Sequence, residues 1–253
     1  MQTPLKIQLK EKKVVIGSWI TIGHPCVAEI MAKAGFDYLT VDMEHSAITL
    51  PQAQQLLRII ELFGVTPLVR VDENNPSLIK RVMDAGAHGV IVPMVNSRAD
   101  ALKAVNAVKY PPAGTRGVGL ARAQGYGLEF KKYKNRINDE SIVVVQIETI
   151  KAIDNLEKIL EVEGVDASII GPYDLSASLG YPGEFERAEV AGAVKRYIEI
   201  CRRKDKCAGF HIVPIDTEKV KNKIKEGFIF IAFSLDTLFL GERIKTELEK
   251  IKT

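Results

Sequence analysis

Cysteine is scarce in this chain of 253 residues. Cys26, Cys201 and Cys207 are odd in number and form no CxxC pair, which excludes a disulfide framework and a zinc knuckle. They read as buried free thiols in a reducing compartment. No run of about 18 apolar residues occurs, so a transmembrane helix is excluded. The opening residues MQTPLKIQLKEKK put charges where a signal peptide needs its apolar core, and a cytoplasmic location is expected. Charge of one sign is lacking too: 35 Lys and Arg stand against 32 Asp and Glu, a net charge of +3. The basic runs over 10–13 and 131–134 are short and read as solvated surface. The charge balance gives no case for nucleic acid or an anionic membrane as partner.

What remains is an ordinary globular composition with a clear rhythm. β-branched runs alternate with stretches of helical period. Strands are expected over 14–20, 37–44, 65–71, 89–93, 141–148, 165–171, 208–213 and 228–233. Helices are expected over 25–35, 51–63, 76–85, 98–108, 151–160, 187–204, 216–225 and 238–251. Several strands are apolar almost throughout, as parallel strands covered on both faces must be. Eight strand–helix units in about 250 residues match a (β/α)8 TIM barrel in a single domain, 1–253. A doubly wound open sheet is the alternative, but no GxGxxG turn follows the first strand.

In such a barrel the active site lies at the C-terminal ends of the strands. The polar residues there are Asp42, Glu44 and His45, then Arg70, then Gln146 and Glu148, then Asp174, His211, Ser234 and Asp236. The helix after the third strand carries Asp84 near its end. Glu148 and Asp174 end consecutive strands and suit the oxygen-loving ions Mg²⁺ or Mn²⁺. Gln146, two residues before Glu148, shares its face. Arg70 offers a planar fork for carboxylate or enolate oxygens. His45 suits proton transfer at neutral pH, with Asp84 as the expected partner on its other ring nitrogen. The glycine-rich loop over 111–127, with Arg116 and Arg122, is expected to form a lid or wall over the site.

The segments VDMEHS (41–46), PLVRV (67–71), GVIVPMV (89–95), GTRGVGLARA (114–123), VQIET (145–149) and GPYDLSASLG (171–180) resemble the HpcH/HpaI aldolase family, in the family's order and across 18–240. The resemblance implies a (β/α)8 barrel of the phosphoenolpyruvate/pyruvate-domain type and a class II pyruvate aldolase. Such an enzyme reversibly cleaves a 4-hydroxy-2-oxo acid to pyruvate and an aldehyde through a metal-stabilised enolate. It further implies Glu148 and Asp174 as ligands of Mg²⁺, Mn²⁺ or Co²⁺, with Arg70 and Gln146 placing the oxo acid. The backbone N–H groups of Tyr173 and Asp174 would hold its carboxylate, and His45 with Asp84 would move the proton. Tyr173 stands where the family often has a small residue and would narrow the pocket. A homo-oligomer is implied, a hexamer built as a trimer of dimers, with the C-terminal helix over about 238–251 exchanged between subunits. The alternatives are a citryl- or malyl-CoA lyase-like enzyme and a non-catalytic barrel that binds an oxo acid.

Overall fold

The computed structural model describes residues 4–252. In chain order its elements are α1 (Pro4–Lys10), β1 (Val15–Ile20), α2 (Pro25–Lys33), β2 (Tyr38–Asp42), α3 (Leu50–Leu62), β3 (Thr66–Arg70), α4 (Pro76–Ala85), β4 (Gly89–Val92) and α5 (Arg98–Val108). There follow a 3₁₀ helix (Arg122–Gly127), α6 (Phe130–Glu140), β5 (Ile142–Ile147), α7 (Ile150–Asp154), α8 (Leu156–Leu160), β6 (Ala167–Ile170), α9 (Pro172–Ser178), α10 (Ala188–Arg203), β7 (Cys207–Ile212), α11 (Thr217–Glu226), β8 (Phe230–Leu235) and α12 (Asp236–Lys252). The eight strands pair in sequence order and close into a parallel barrel, β8 returning to β1.

Alternation along each strand sends every second side chain inward. Val15, Trp19, Leu68, Ile91, Val144, Ile169 and Phe230 fill the barrel, joined by Leu5 and Leu9 of α1, which plugs its N-terminal end. Tyr38 crosses the interior, stacking on Phe230 at 4.5 Å and donating to the Ile231 carbonyl at 2.8 Å. Only glycine fits at position 17, because a Cβ there would stand 2.3 Å from the Tyr38 ring. The outward faces meet the helices in a second apolar layer that includes Val41, Leu56, Val69, Val82 and Val90.

Three features depart from the expected pattern. The helix expected over 151–160 is two short helices broken at Asn155, whose Nδ2 donates to the Asn96 carbonyl at 3.0 Å. α1, α6 and α9 lie in segments where no helix is expected. Cys26 is exposed, while Cys201 and Cys207 are buried as expected. Among the described residues no helix is long and apolar enough to cross a membrane.

Candidate active site

β2 ends in Asp42 and β3 in Arg70, which are register partners. Arg70 Nε donates to Asp42 Oδ1 at 2.9 Å and Nη2 to Oδ2 at 2.6 Å, the two-pronged pairing that guanidinium geometry favours. Oδ1 also accepts from the backbone N–H of Glu44 at 3.0 Å and of His45 at 3.2 Å. Burial opposes the charge on Asp42, but Arg70 and the two N–H groups outweigh it and hold the carboxyl below its usual range. The guanidinium stacks 4.2 Å from the ring centroid of Trp19, the single tryptophan of the chain. No bond to Arg70 Nη1 is found among the described residues, so this nitrogen is available to an incoming oxygen.

Glu148, just past β5, is buried, and its Oε2 accepts from the Met94 N–H at 2.8 Å. Gln146 donates its amide to Glu148 Oε1. Burial raises the Glu148 pKa, and the charge of Asp174 adds to the rise against Met94 and Gln146. Glu44 is pushed up to about 7, by burial first, then by Glu148, Asp42 and Asp174, with Arg70 opposing. Its Oε2 lies 3.3 Å from Arg70 Nε yet has no hydrogen bond.

Between β5 and α9 there is a cradle. A Cβ on Gly171 would lie 3.3 Å from Asp174 Oδ2 and 3.4 Å from Glu148 Oε1, so both carboxylates converge on the space that the missing side chain leaves. That donor set fits Mg²⁺ or Mn²⁺, which bind through one or two carboxylates and keep positions for water and substrate. Among the described residues no group of three or more acidic, histidine or cysteine side chains could hold a metal. The N–H groups of Tyr173 and Asp174, in the first turn of α9, have no partner among the described residues, as expected of a helix start.

The other expected residues divide. His45 is exposed at the mouth, its Nε2 3.7 Å from Glu44 Oε2. Tyr173 stands exposed on the rim, edge-on to Phe185 at 4.8 Å, and is not buried in the cradle. Asp84 does not meet His45 within the chain. It ends α4, which runs down the barrel wall, and so lies at the end opposite the mouth. Its neighbours are Gln124 Nε2 at 3.3 Å and Arg116 Nη2 at 4.0 Å, and burial raises its pKa.

The glycine-rich loop is corrected with it. It follows α5 and leads through α6 into β5, so it packs along α4 and at the N-terminal end rather than over its own mouth. Arg116 is buried against Tyr110 at 4.2 Å and donates to Tyr133 at 2.8 Å. Arg122 donates to the Ala85 carbonyl at 3.1 Å and pairs with Glu61. Both arginines hold the scaffold together. Trp19, as a wall of the site, was missed in the sequence. Its signal was available: it is the last inward residue of β1, at the height where its neighbours turn polar.

A model of the HpcH/HpaI aldolase/citrate lyase family matches residues 15–241. The chain belongs to this family. The 2-keto-3-deoxy-L-rhamnonate aldolase of Escherichia coli (strain K12) is 36% identical over 255 residues, covering 100% of this chain and 94% of that protein. The crystal structure of an HpcH/HpaI aldolase/citrate lyase family protein from Burkholderia cenocepacia J2315 has a TM-score of 0.95 at 30% identity, covering 100% of both chains. That of the HpcH/HpaI aldolase from Desulfitobacterium hafniense DCB-2 has a TM-score of 0.90 at 32% identity, covering 98% of this chain and 96% of that one. Like its HpcH/HpaI relatives, the chain is an aldolase, a carbon–carbon lyase.

Proposed function

We propose that this HpcH/HpaI aldolase reversibly cleaves a 4-hydroxy-2-oxo acid, of the 2-keto-3-deoxy sugar-acid kind, into pyruvate and an aldehyde. The observation that carries the reading is the convergence of Glu148 and Asp174 on the Gly171 cradle beside a buried, oriented Arg70. Mg²⁺, Mn²⁺ or Co²⁺ bound there would supply Lewis-acid charge to the keto oxygen and carboxylate of the substrate.

The chain's own groups do the rest. Asp42 locks Arg70 so that Nη1 meets the keto oxygen, where negative charge develops as the C3–C4 bond breaks. Gln146 holds Glu148 in place, and the N–H groups of Tyr173 and Asp174 receive the substrate carboxylate. His45 takes the proton of the 4-hydroxyl, and the third carbon is protonated as pyruvate forms.

Asp84 can serve His45 only across an interface between copies. A homo-oligomer, a hexamer in the proposed arrangement, would supply one. Support comes from Val118 and Leu120, exposed on the loop that wraps Asp84, and from the exposed Leu240, Ile244, Leu248 and Ile251 along α12. Those four lie at helical spacing and suit a helix exchanged with a neighbour. Three free cysteines fit work in the cytoplasm.

The test is pyruvate release from 2-keto-3-deoxy-L-rhamnonate by protein stripped with EDTA and then given Mg²⁺ or Mn²⁺. Loss and return of activity support the proposal, and undiminished release in EDTA refutes the metal role. Borohydride with substrate should trap no adduct, because no lysine stands at the ends of β5 and β6.

A further inference from the structure

The two oxygens of Glu148 have different surroundings. Oε1 borders the space at Gly171, while Oε2 accepts from the Met94 N–H at 2.8 Å. Met94, two residues past β4, has φ 53°, in the left-handed region. A residue with a Cβ is strained there, and such backbone persists only where its surroundings over-determine it. The Met94 side chain is 54% exposed, so the hold falls on its backbone groups. Glu148 grips the N–H. The carbonyl accepts from Asn96 Nδ2 at 3.0 Å.

Asn96 is itself fixed through its backbone and its side chain. Its N–H donates to Asp100 Oδ2 at 3.1 Å, and its carbonyl accepts from Asn155 Nδ2 at 3.0 Å. Its side-chain Oδ1 accepts from the hydroxyl of Thr149, the residue after Glu148. The Thr149 oxygen in turn accepts from the Ala152 N–H at 3.0 Å, capping α7, which leaves the hydroxyl proton for Asn96. A carbonyl can only accept, so the Asn96 NH₂ must face Met94 and its oxygen must face Thr149. One amide thus joins the β4 loop to the β5 loop on both sides of Glu148. Through Met94 it reaches the carboxylate, and through Thr149 it reaches the backbone that carries it.

Resting on the reading of Glu148 as a metal ligand, we propose that Asn96 is a positioning residue for the metal site. It holds Met94 in its left-handed turn, so that the N–H keeps Oε2 and Oε1 stays turned to the cradle. Without the amide, Met94 relaxes toward ordinary backbone angles, its N–H leaves Glu148, and the carboxylate is free to swing. Loss of such outer support costs metal sites about 10- to 100-fold in affinity. Glycine populates positive φ about as readily as negative φ, so at position 94 it would depend far less on the clamp.

The test is a double-mutant cycle read by Mn²⁺ titration with electron paramagnetic resonance, folding being checked by calorimetry in EDTA. Asn96→Ala should weaken Mn²⁺ binding about tenfold when residue 94 is methionine. In the Met94→Gly background the same change should cost less than about threefold. Should the alanine variant not fold, Asn96→Ser, too short to span Met94 and Thr149 together, replaces it with the same expectations. A role confined to loop stability would lower the melting temperature and leave the Mn²⁺ Kd of the folded protein unchanged, which overturns the proposal. Equal losses in the two backgrounds overturn it too, because the effect then does not run through the turn at Met94. Hydrogen–deuterium exchange in EDTA gives a metal-free reading. The peptide 91–96 should exchange faster in Asn96→Ala than in wild type, and an unchanged rate contradicts the clamp. If wild-type protein binds Mn²⁺ and only the cycle fails to respond, the role of Asn96 falls alone. If wild-type protein binds no Mn²⁺, the metal reading of Glu148 falls and this role falls with it.

Discussion

Gly171→Ala separates metal binding from folding. The glycine has φ −91° and ψ 99°, extended backbone that alanine adopts without strain. The change also removes freedom from the unfolded chain, and such substitutions at compatible sites stabilise by about 0.4–1 kcal/mol. The new methyl meets Asp174 Oδ2 and Glu148 Cγ at 3.3 Å and Glu148 Oε1 at 3.4 Å. Contacts that close force the two carboxylates to give by a few tenths of an ångström. Mg²⁺ demands near-ideal octahedral geometry, and its ligand distances tolerate only about 0.2 Å. Affinity for Mn²⁺ or Mg²⁺ should therefore fall about 10- to 100-fold, the scale seen when the support of metal ligands is disturbed. The measurement is Mn²⁺ titration by electron paramagnetic resonance, with unfolding in EDTA followed by calorimetry. An alanine variant that binds Mn²⁺ within about twofold of wild type would refute the cradle.

Further outcomes are expected at Arg70, at Glu44 and along α12. Arg70→Ala leaves the Asp42 carboxylate buried without its partner, so it should cost about 3–5 kcal/mol in calorimetry as well as activity. Arg70→Lys keeps the charge but loses the fork, and should keep more stability while releasing pyruvate at least about 100-fold more slowly. In metal-free protein the Glu44 carboxyl, raised from the ordinary 4.5 to about 7, binds its proton more tightly folded than unfolded. Stability from this group is therefore full below pH 4.5 and lost as pH climbs through 7. The loss is of order 1–2 kcal/mol once solvent screening is allowed for, and Glu44→Gln should flatten that part of the pH–stability profile. Ile244→Asp with Leu248→Asp should shift the protein to a smaller species in light scattering, and an unchanged mass would remove α12 from the interface.

The barrel was legible because strands covered on both faces have nothing to alternate, and runs such as Ile142–Ile147 are buried at every position. That Glu148, Asp174, Arg70 and Gln146 gather at one end of the barrel was legible because polar side chains appear where those runs stop. Asp84 and the loop over 111–127 were misplaced for one shared reason: each follows a helix rather than a strand. A residue at the end of a helix returns to the N-terminal end of the barrel, so α4 carries Asp84 away from His45. α1 escaped notice because seven residues with three polar positions show little period, and only its docking buries Leu5 and Leu9. The pairing of Asp42 with Arg70 and the stacking of Arg70 on Trp19 depend on register between strands, which side-chain period alone does not provide.

Proton exchange at the methyl group of pyruvate bears most directly on the central claim, that Glu148 and Asp174 arm the mouth of the barrel to draw charge out of a bound oxo acid. With protein and Mg²⁺ in D₂O, the methyl signal in the proton NMR spectrum should fade as deuterium replaces hydrogen. The fading should stop with EDTA and be absent in Glu148→Gln. Exchange at the wild-type rate in either case would contradict the account.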